Sequence, residues 1–240
     1  MNIIELRQYT LRPGQRDLLI DLFDRQFVES QEALGMRVVG QFRDEDNPDR
    51  FVWMRSFSTM QARREALTAF YVEGSAWKTH GPAANATMLD SSNALLLRPA
   101  GPDSGFPEPA SARPPIGATA LPDSRVVATI YHVNASADQE FIGFFSDRVA
   151  PLMVETAAPP LASFQTEHAE NTFPRLPVRA GENVFVWFSL FADSDRRREH
   201  VERLGRSEEW NERVLPELSA RLSAPPQHLR LAPTARSQLR

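Results

Sequence analysis

The segment RFVWMRSFSTMQARREA, beginning at Arg50, has a near copy in VFVWFSLFADSDRRREH, beginning at Val184. Both carry Phe-Val-Trp, a second Phe six residues after the first, and then an arginine-rich run. A chain that repeats a strand and its following helix in this way is constrained to fold as two copies of one unit. Between the copies lies RPAGPDSGFPEPASARPPIGATALPDS, from Arg98 to Ser124, dense in Pro, Gly, Ala and Ser. Such a stretch buries no core and holds no helix, so it reads as a semi-extended linker. The expected division is residues 1–99, a Pro-rich linker over 100–123, and a second, diverged unit over 124–234.

The two units run in parallel. In the first, IIELRQYTL reads as a strand, Pro13-Gly14 as a turn, and residues 15–34 as a helix with Leu18, Leu19, Leu22, Phe23 and Phe27 at helical spacing. Strands follow over MRVVGQFRDED and RFVWMRSF, then a helix over residues 59–73 and a strand over NALLLRP. The second unit repeats the order with RVVATIYHV, a helix over 138–153, PLASFQTEH, NVFVWFSLF, a helical region over 194–215, and QHLRLAP. Tyr131 answers Tyr9, Trp187 answers Trp53, Trp210 answers Trp77, and Leu231 answers Leu97, all in one order at nearly constant offset. The fold class expected is α+β: two tandem ferredoxin-like βαββαβ units. Each unit leaves one sheet face bare, and the other copy is the natural cover. Packing the two sheet to sheet within the chain gives a barrel-like core with helices outside.

The first unit resembles NIPSNAP-family domains. The carriers are a Glu-Leu-Arg-x-Tyr strand, a Pro-Gly turn and an amphipathic helix in IIELRQYTLRPGQRDLLIDLF, the strand ALGMRVVGQF, the strand-helix segment FVWMRSFSTMQARREALTAFYVEGSAWK, and the ending NALLLRP. The second unit matches more loosely, lacking both the Glu-Leu-Arg strand and the Pro-Gly turn. The resemblance implies a dimeric α/β-barrel, here formed within one chain by the two tandem units. That fold serves cofactor-free monooxygenases, cyclases and isomerases, haem enzymes, and proteins with no known reaction, so fold alone does not give function. It also implies that two such chains pair as a homodimer of pseudo-dimers. It supplies no catalytic residue set to carry over.

Composition narrows the chemistry. With no cysteine, thiol catalysis, disulfides and Cys-ligated metals are excluded. A net charge of −4 with interspersed signs gives no basic face for nucleic acid. No apolar run is long enough to span a membrane, and MNIIELRQYT lacks the pattern of a secretory signal, so a cytoplasmic protein is expected. There is no GxGxxG, GxxxxGK, GxSxG or HExxH. EHAE (Glu167–Glu170) and EHVE (Glu199–Glu202) fit no zinc spacing, so neither metal nor any other cofactor is expected. An axial histidine for haem stays open.

Strand alternation puts Glu5, Arg7 and Tyr9 on one face, and Phe51, Trp53, Arg55 and Phe57 on one face of the third strand. A sheet–helix cavity there would be lined by Phe51, Trp53, Phe57 and Trp77 as a ligand-binding set. Glu5, Arg7, Tyr9, Arg55 and the loop-end His80 would be the catalytic candidates. In that scheme the arginines clamp an oxyanion, Glu5 is a base if burial raises its pKa, Tyr9 donates a hydrogen bond, and His80 is acid or base. In the second unit Glu5, Arg7 and Arg55 become Val127, Thr129 and Ser189, while Tyr131, Trp187 and Phe191 keep their rings. The same charged set reads equally as a structural ion pair with no ligand. Arg196–Arg198 reads as a solvated helix face. Two functions stand: a small-molecule site for an apolar or aromatic compound in the first unit, with cofactor-free oxygenation, cyclisation or isomerisation, or a non-enzymatic protein–protein interaction module with a filled interior.

Overall fold

Residues 3–134 and 138–240 are described by a computed structural model. The first half runs β1 (Ile3–Leu11), α1 (Arg16–Gln26), α2 (Val28–Glu32), β2 (Arg37–Asp44), β3 (Arg50–Phe57), α3 (Met60–Thr68), α4 (Ser75–Thr87), β4 (Met88–Asp90) and β5 (Ala94–Pro99). The second runs β6 (Arg125–His132), α5 (Asp138–Phe144), α6 (Ala150–Glu155), β7 (Ala162–Thr166), β8 (Val184–Phe191), α7 (Ser194–Gly205), α8 (Leu215–Ala220) and β9 (Gln227–Pro233). One π-helical turn follows α3 (Ala69–Glu73), and others precede α6 (Phe145–Val149) and α8 (Glu209–Val214).

All strand pairs are antiparallel, and each half makes the same four-stranded sheet: β5-β1-β3-β2 and β9-β6-β8-β7. The halves join at both edges, β5 to β7 and β2 to β9, so the sheet closes into a barrel and no main edge is left open. The short β4 extends the β5 edge of β1. Alternation places Ile4, Leu6, Val52, Met54, Val126, Ala128, Val186 and Phe188 inside the barrel. The opposite residues face the helices, in one apolar layer per half. This is the dimeric α/β-barrel that the resemblance implies, formed within one chain.

The linker is less free than its composition suggests. Phe106 inserts beside Phe164 and Phe188, ring centroids 5.1 and 4.9 Å away. Arg113 donates to Glu32, the Val38 carbonyl and the Arg236 carbonyl. Arg236, in the C-terminal tail, in turn bonds the Asp24 carbonyl and Glu29. Burial pushes the Asp24 carboxyl up to about 6, although Arg236 and the amide of Gln41, 2.8 Å away, pull it down. A carboxyl raised in the folded state stabilises the fold most below its unfolded value, and that contribution is lost as pH climbs through about 6. Melting temperature is therefore expected to rise when the pH falls from 7 to 5, and Asp24→Asn to flatten that rise.

A further departure from the sequence reading is α4, which the apolar pattern does not announce and which contains Pro82. It holds because Gly81, Ala84 and Thr87 bury one face. A Cβ at Gly81 would lie 2.8 Å from the Trp77 indole, so glycine is what lets that ring lie along the helix. His80 consequently sits inside a helix rather than at a loop end, and it lines neither cavity described below.

Candidate functional site

The charged residues of the first unit do meet. Glu5 faces Arg55 across the β1–β3 ladder, and Arg7 faces Trp53. Glu5 Oε2 accepts from Arg55 Nε at 2.7 Å and Arg7 Nη1 at 3.3 Å, while Oε1 accepts from Arg63 Nε at 2.7 Å. Arg63 comes from α3, and the sequence reading missed it. The remaining donors are also used. Arg55 Nη1 reaches Gln31 and the Tyr71 hydroxyl, Arg7 reaches the Tyr9 hydroxyl and the Ser91 carbonyl, and Arg63 Nη1 reaches Asn171 and Thr172 of the β7–β8 loop. Arg55 also lies 4.9 Å over Trp53 and 5.5 Å over Phe57.

This arrangement corrects two expectations. Burial alone would raise the Glu5 pKa, but Arg55, Arg7 and Arg63 together hold it far below the carboxylate range. Glu5 is therefore an ionised counter-charge and not a base of raised pKa. The guanidinium groups also fill the space where a ligand was expected. Near Tyr9, Trp53 and Trp77 only about 60 Å³ is open, room for about two waters at roughly 30 Å³ each. Phe51 packs on Phe23 at 5.5 Å and is core.

In the second unit the same space is open. The strand register gives the equivalences directly: Val127 faces Ser189 as Glu5 faces Arg55, and Thr129 faces Trp187 as Arg7 faces Trp53. Replacing three long charged side chains by Val127, Thr129 and Ser189 leaves a cavity of about 530 Å³ between the sheet and α7. Its walls are Tyr131, Met153, Trp187, Phe191, Leu204 and Trp210. The π turn Glu209–Val214 delivers Trp210 to it.

Two histidines stand in this cavity where the first unit has alanines. His228 faces Thr129 across β6–β9 as Ala94 faces Arg7 across β1–β5, and its Nδ1 lies 3.1 Å from the Thr129 hydroxyl. For the helices, the N-caps Thr59 and Asp193 set the register, because Arg63 and Arg197 each donate a backbone N–H to their cap's carbonyl. His200 then corresponds to Ala66. The His200 ring is buried, tilted on Phe191 at 5.6 Å, with Nδ1 3.1 Å from the Thr156 carbonyl. A carbonyl only accepts, so Nδ1 carries the proton and Nε2 keeps its lone pair. Burial lowers the His200 pKa, outweighing the Thr156 bond, and keeps the ring neutral near pH 7. Burial also pushes the Tyr131 phenol up to about 12, so it stays a hydroxyl.

Arg197, which the sequence suggested was a solvated helix residue, lines this cavity too. It occupies the register position of Arg63, but its carboxylate partner has become Val127. Its nearest acid is Glu45, 3.5 Å from Nη2, and its buried Nε has no acceptor. Glu45 and Asp46 belong to the short β2–β3 loop of the other half, and Asp46 holds Arg230 at the cavity mouth. The signal for these residues was present in the repeat itself: alignment of the two helices from their N-caps finds Arg197 and His200, and alignment of the last strands finds His228.

Comparison with known proteins agrees with the first-half pattern. The NIPSNAP family model matches residues 4–101. The likeness to NIPSNAP domains thus lies in the first half of this chain. No curated protein matches the sequence. Among solved structures, a candidate monooxygenase from Lactobacillus acidophilus NCFM aligns over 97% of this chain and 93% of its own, with TM-score 0.59 and 12% identity. Another candidate monooxygenase, from Fusobacterium nucleatum, covers 97% and 92%, with TM-score 0.61 and 10% identity. An anthrone oxidase-like protein covers 97% and 91%, with TM-score 0.59 and 10% identity. At such identities the likeness is one of fold, extending through the first and second units alike. Among the described residues, no helix is long and apolar enough to cross a membrane, and no group of three or more His, Asp or Glu is placed to hold a metal ion.

Proposed function

We propose that this protein binds a small apolar or aromatic molecule in the sheet–helix cavity of its second unit, and that His200 takes a proton from it in cofactor-free chemistry of the monooxygenase, cyclase or isomerase kind. The supporting observation is the neutral His200, its tautomer set by the Thr156 carbonyl, beside an apolar cavity of about 530 Å³. That volume falls within the roughly 300–1,000 Å³ of small-molecule sites. A neutral imidazole with a free Nε2 in an apolar cavity is a competent general base near neutral pH. Proton removal from an acidic C–H or O–H is the step with which isomerisation, cyclisation and cofactor-free oxygenation can each begin. The rival reading, an interaction module, calls for a filled interior. The first unit has one and the second does not.

The test is titration with the neutral fluorophore N-phenyl-1-naphthylamine, followed by its own emission and by quenching of Trp187 and Trp210. Saturable one-to-one binding is expected. Ser189→Met, which pushes an apolar side chain into the cavity, is expected to weaken binding while raising stability by about 1 kcal/mol through buried methylenes. Absence of saturable binding, or an affinity untouched by Ser189→Met, would refute the proposal. Haemin, titrated in parallel at its Soret band, reports on the haem alternative.

A further inference from the structure

The first unit contains a built-in account of what its sister cavity lacks. Arg63 and Arg197 hold the same place, four residues past an N-cap and over the same strand position. Arg63 Nε meets a carboxylate, Glu5 Oε1, at 2.7 Å. At Arg197 that strand position is Val127, and Nε is buried without an acceptor. The nearest acid, Glu45, is shared: its Oε1 takes Arg125 Nε at 2.6 Å, leaving only a 3.5 Å contact for Arg197 Nη2. A buried N–H with no acceptor is costly, and a carboxylate is the group whose geometry matches a guanidinium. Arg230, the other arginine on the cavity, is already engaged by Asp46 through Nε at 2.7 Å.

We infer that the natural ligand of the second-unit cavity carries a carboxylate, which pairs with Arg197 in the place that Glu5 fills for Arg63. The ligand class is an aromatic or extended apolar carboxylic acid: its body lies on Tyr131, Trp187 and Trp210, its acid group lies at Arg197, and His200 stands beside it. This rests on the cavity reading above and adds the chemistry that selects among apolar molecules. The first unit, having supplied its own carboxylate from β1, has closed the equivalent site to any guest.

The experiment compares 2-naphthoate with 2-naphthamide, which match in shape and differ in charge, by calorimetry on the full chain at pH 7. The wild type is expected to bind naphthoate roughly 10- to 100-fold more tightly than naphthamide, the scale of a charge-assisted hydrogen bond. Arg197→Gln is expected to erase the preference, and Arg197→Lys, which keeps the charge, to retain part of it. Equal affinities in the wild type, or a preference that survives Arg197→Gln, would overturn this inference and leave the cavity reading intact. If neither probe binds, the cavity reading falls and this inference with it.

Discussion

Glu5→Gln is expected to lower the melting temperature by about 10 °C or more. Glu5 is the counter-charge of Arg7, Arg55 and Arg63, and its side chain and those of all three arginines are fully buried. Removing one partner from a buried ionic group leaves uncompensated charge at a cost of roughly 3–5 kcal/mol, and in a chain of this size each kcal/mol shifts melting by about 2–4 °C. Glutamine keeps the shape and the carbonyl acceptor, so the loss measures charge and not volume. The pH dependence gives an independent check. A carboxylate held far down in the folded state contributes stability that is complete above its unfolded value near 4.5 and fades as the pH falls below it. The wild type should therefore lose stability below about pH 4.5 more steeply than Glu5→Gln. A neutral or stabilising Glu5→Gln would instead mark Glu5 as a strained functional acid.

The second large effect is on binding. Val127→Glu combined with Ser189→Arg copies the Glu5–Arg55 pair into the second unit, opposite one another in the β6–β8 register. The introduced carboxylate comes within the domain of Arg197, as Glu5 does for Arg63, and the two long side chains occupy the cavity. Saturable binding of N-phenyl-1-naphthylamine and of 2-naphthoate should both disappear, with the far-UV spectrum and the cooperativity of melting retained. Ser189→Arg alone lacks the counter-charge and should be much less stable than the pair, so a double-mutant cycle separates cavity filling from ionic rescue. Retained binding of the neutral probe in the folded double variant would show that the cavity is not the binding site.

Much of the fold was legible because its determinants are local. Alternation over IIELRQYTL and RFVWMRSF assigned Glu5, Arg7, Tyr9, Trp53 and Arg55 to one face, and the structure puts them there. The repeated aromatic anchors showed that two units share one plan. What alternation does not report is whether a face holds an opening or is filled. Filling depends on Arg63 arriving from α3 and on Asn171 and Thr172 arriving from the far half. The charged set was read as the mark of a pocket, whereas charged side chains of this length are what removes one. Small residues at Val127, Thr129 and Ser189 looked like lost function and are the reason for the cavity. The two histidines were harder to see, since His200 sits in a segment that reads as a polar helix and His228 near a strand end. Only the cross-unit comparison with Ala66 and Ala94 singles them out.

The loops joining the second and third strands of each half differ greatly in length. In the first half the connection runs from Asp44 to Arg50; in the second it runs from Thr166 to Val184. Each reaches over the helix layer of the opposite half, the long one closing on Arg63 and the short one on Arg197 and Arg230. On the proposed reading, a ligand entering the second-unit cavity passes a loop that the first unit supplies. Residence time there should respond to changes at Glu45 and Asp46, which form no wall themselves but hold the wall residues Arg197 and Arg230, and neither half, severed from the other, would retain its own gatekeeper.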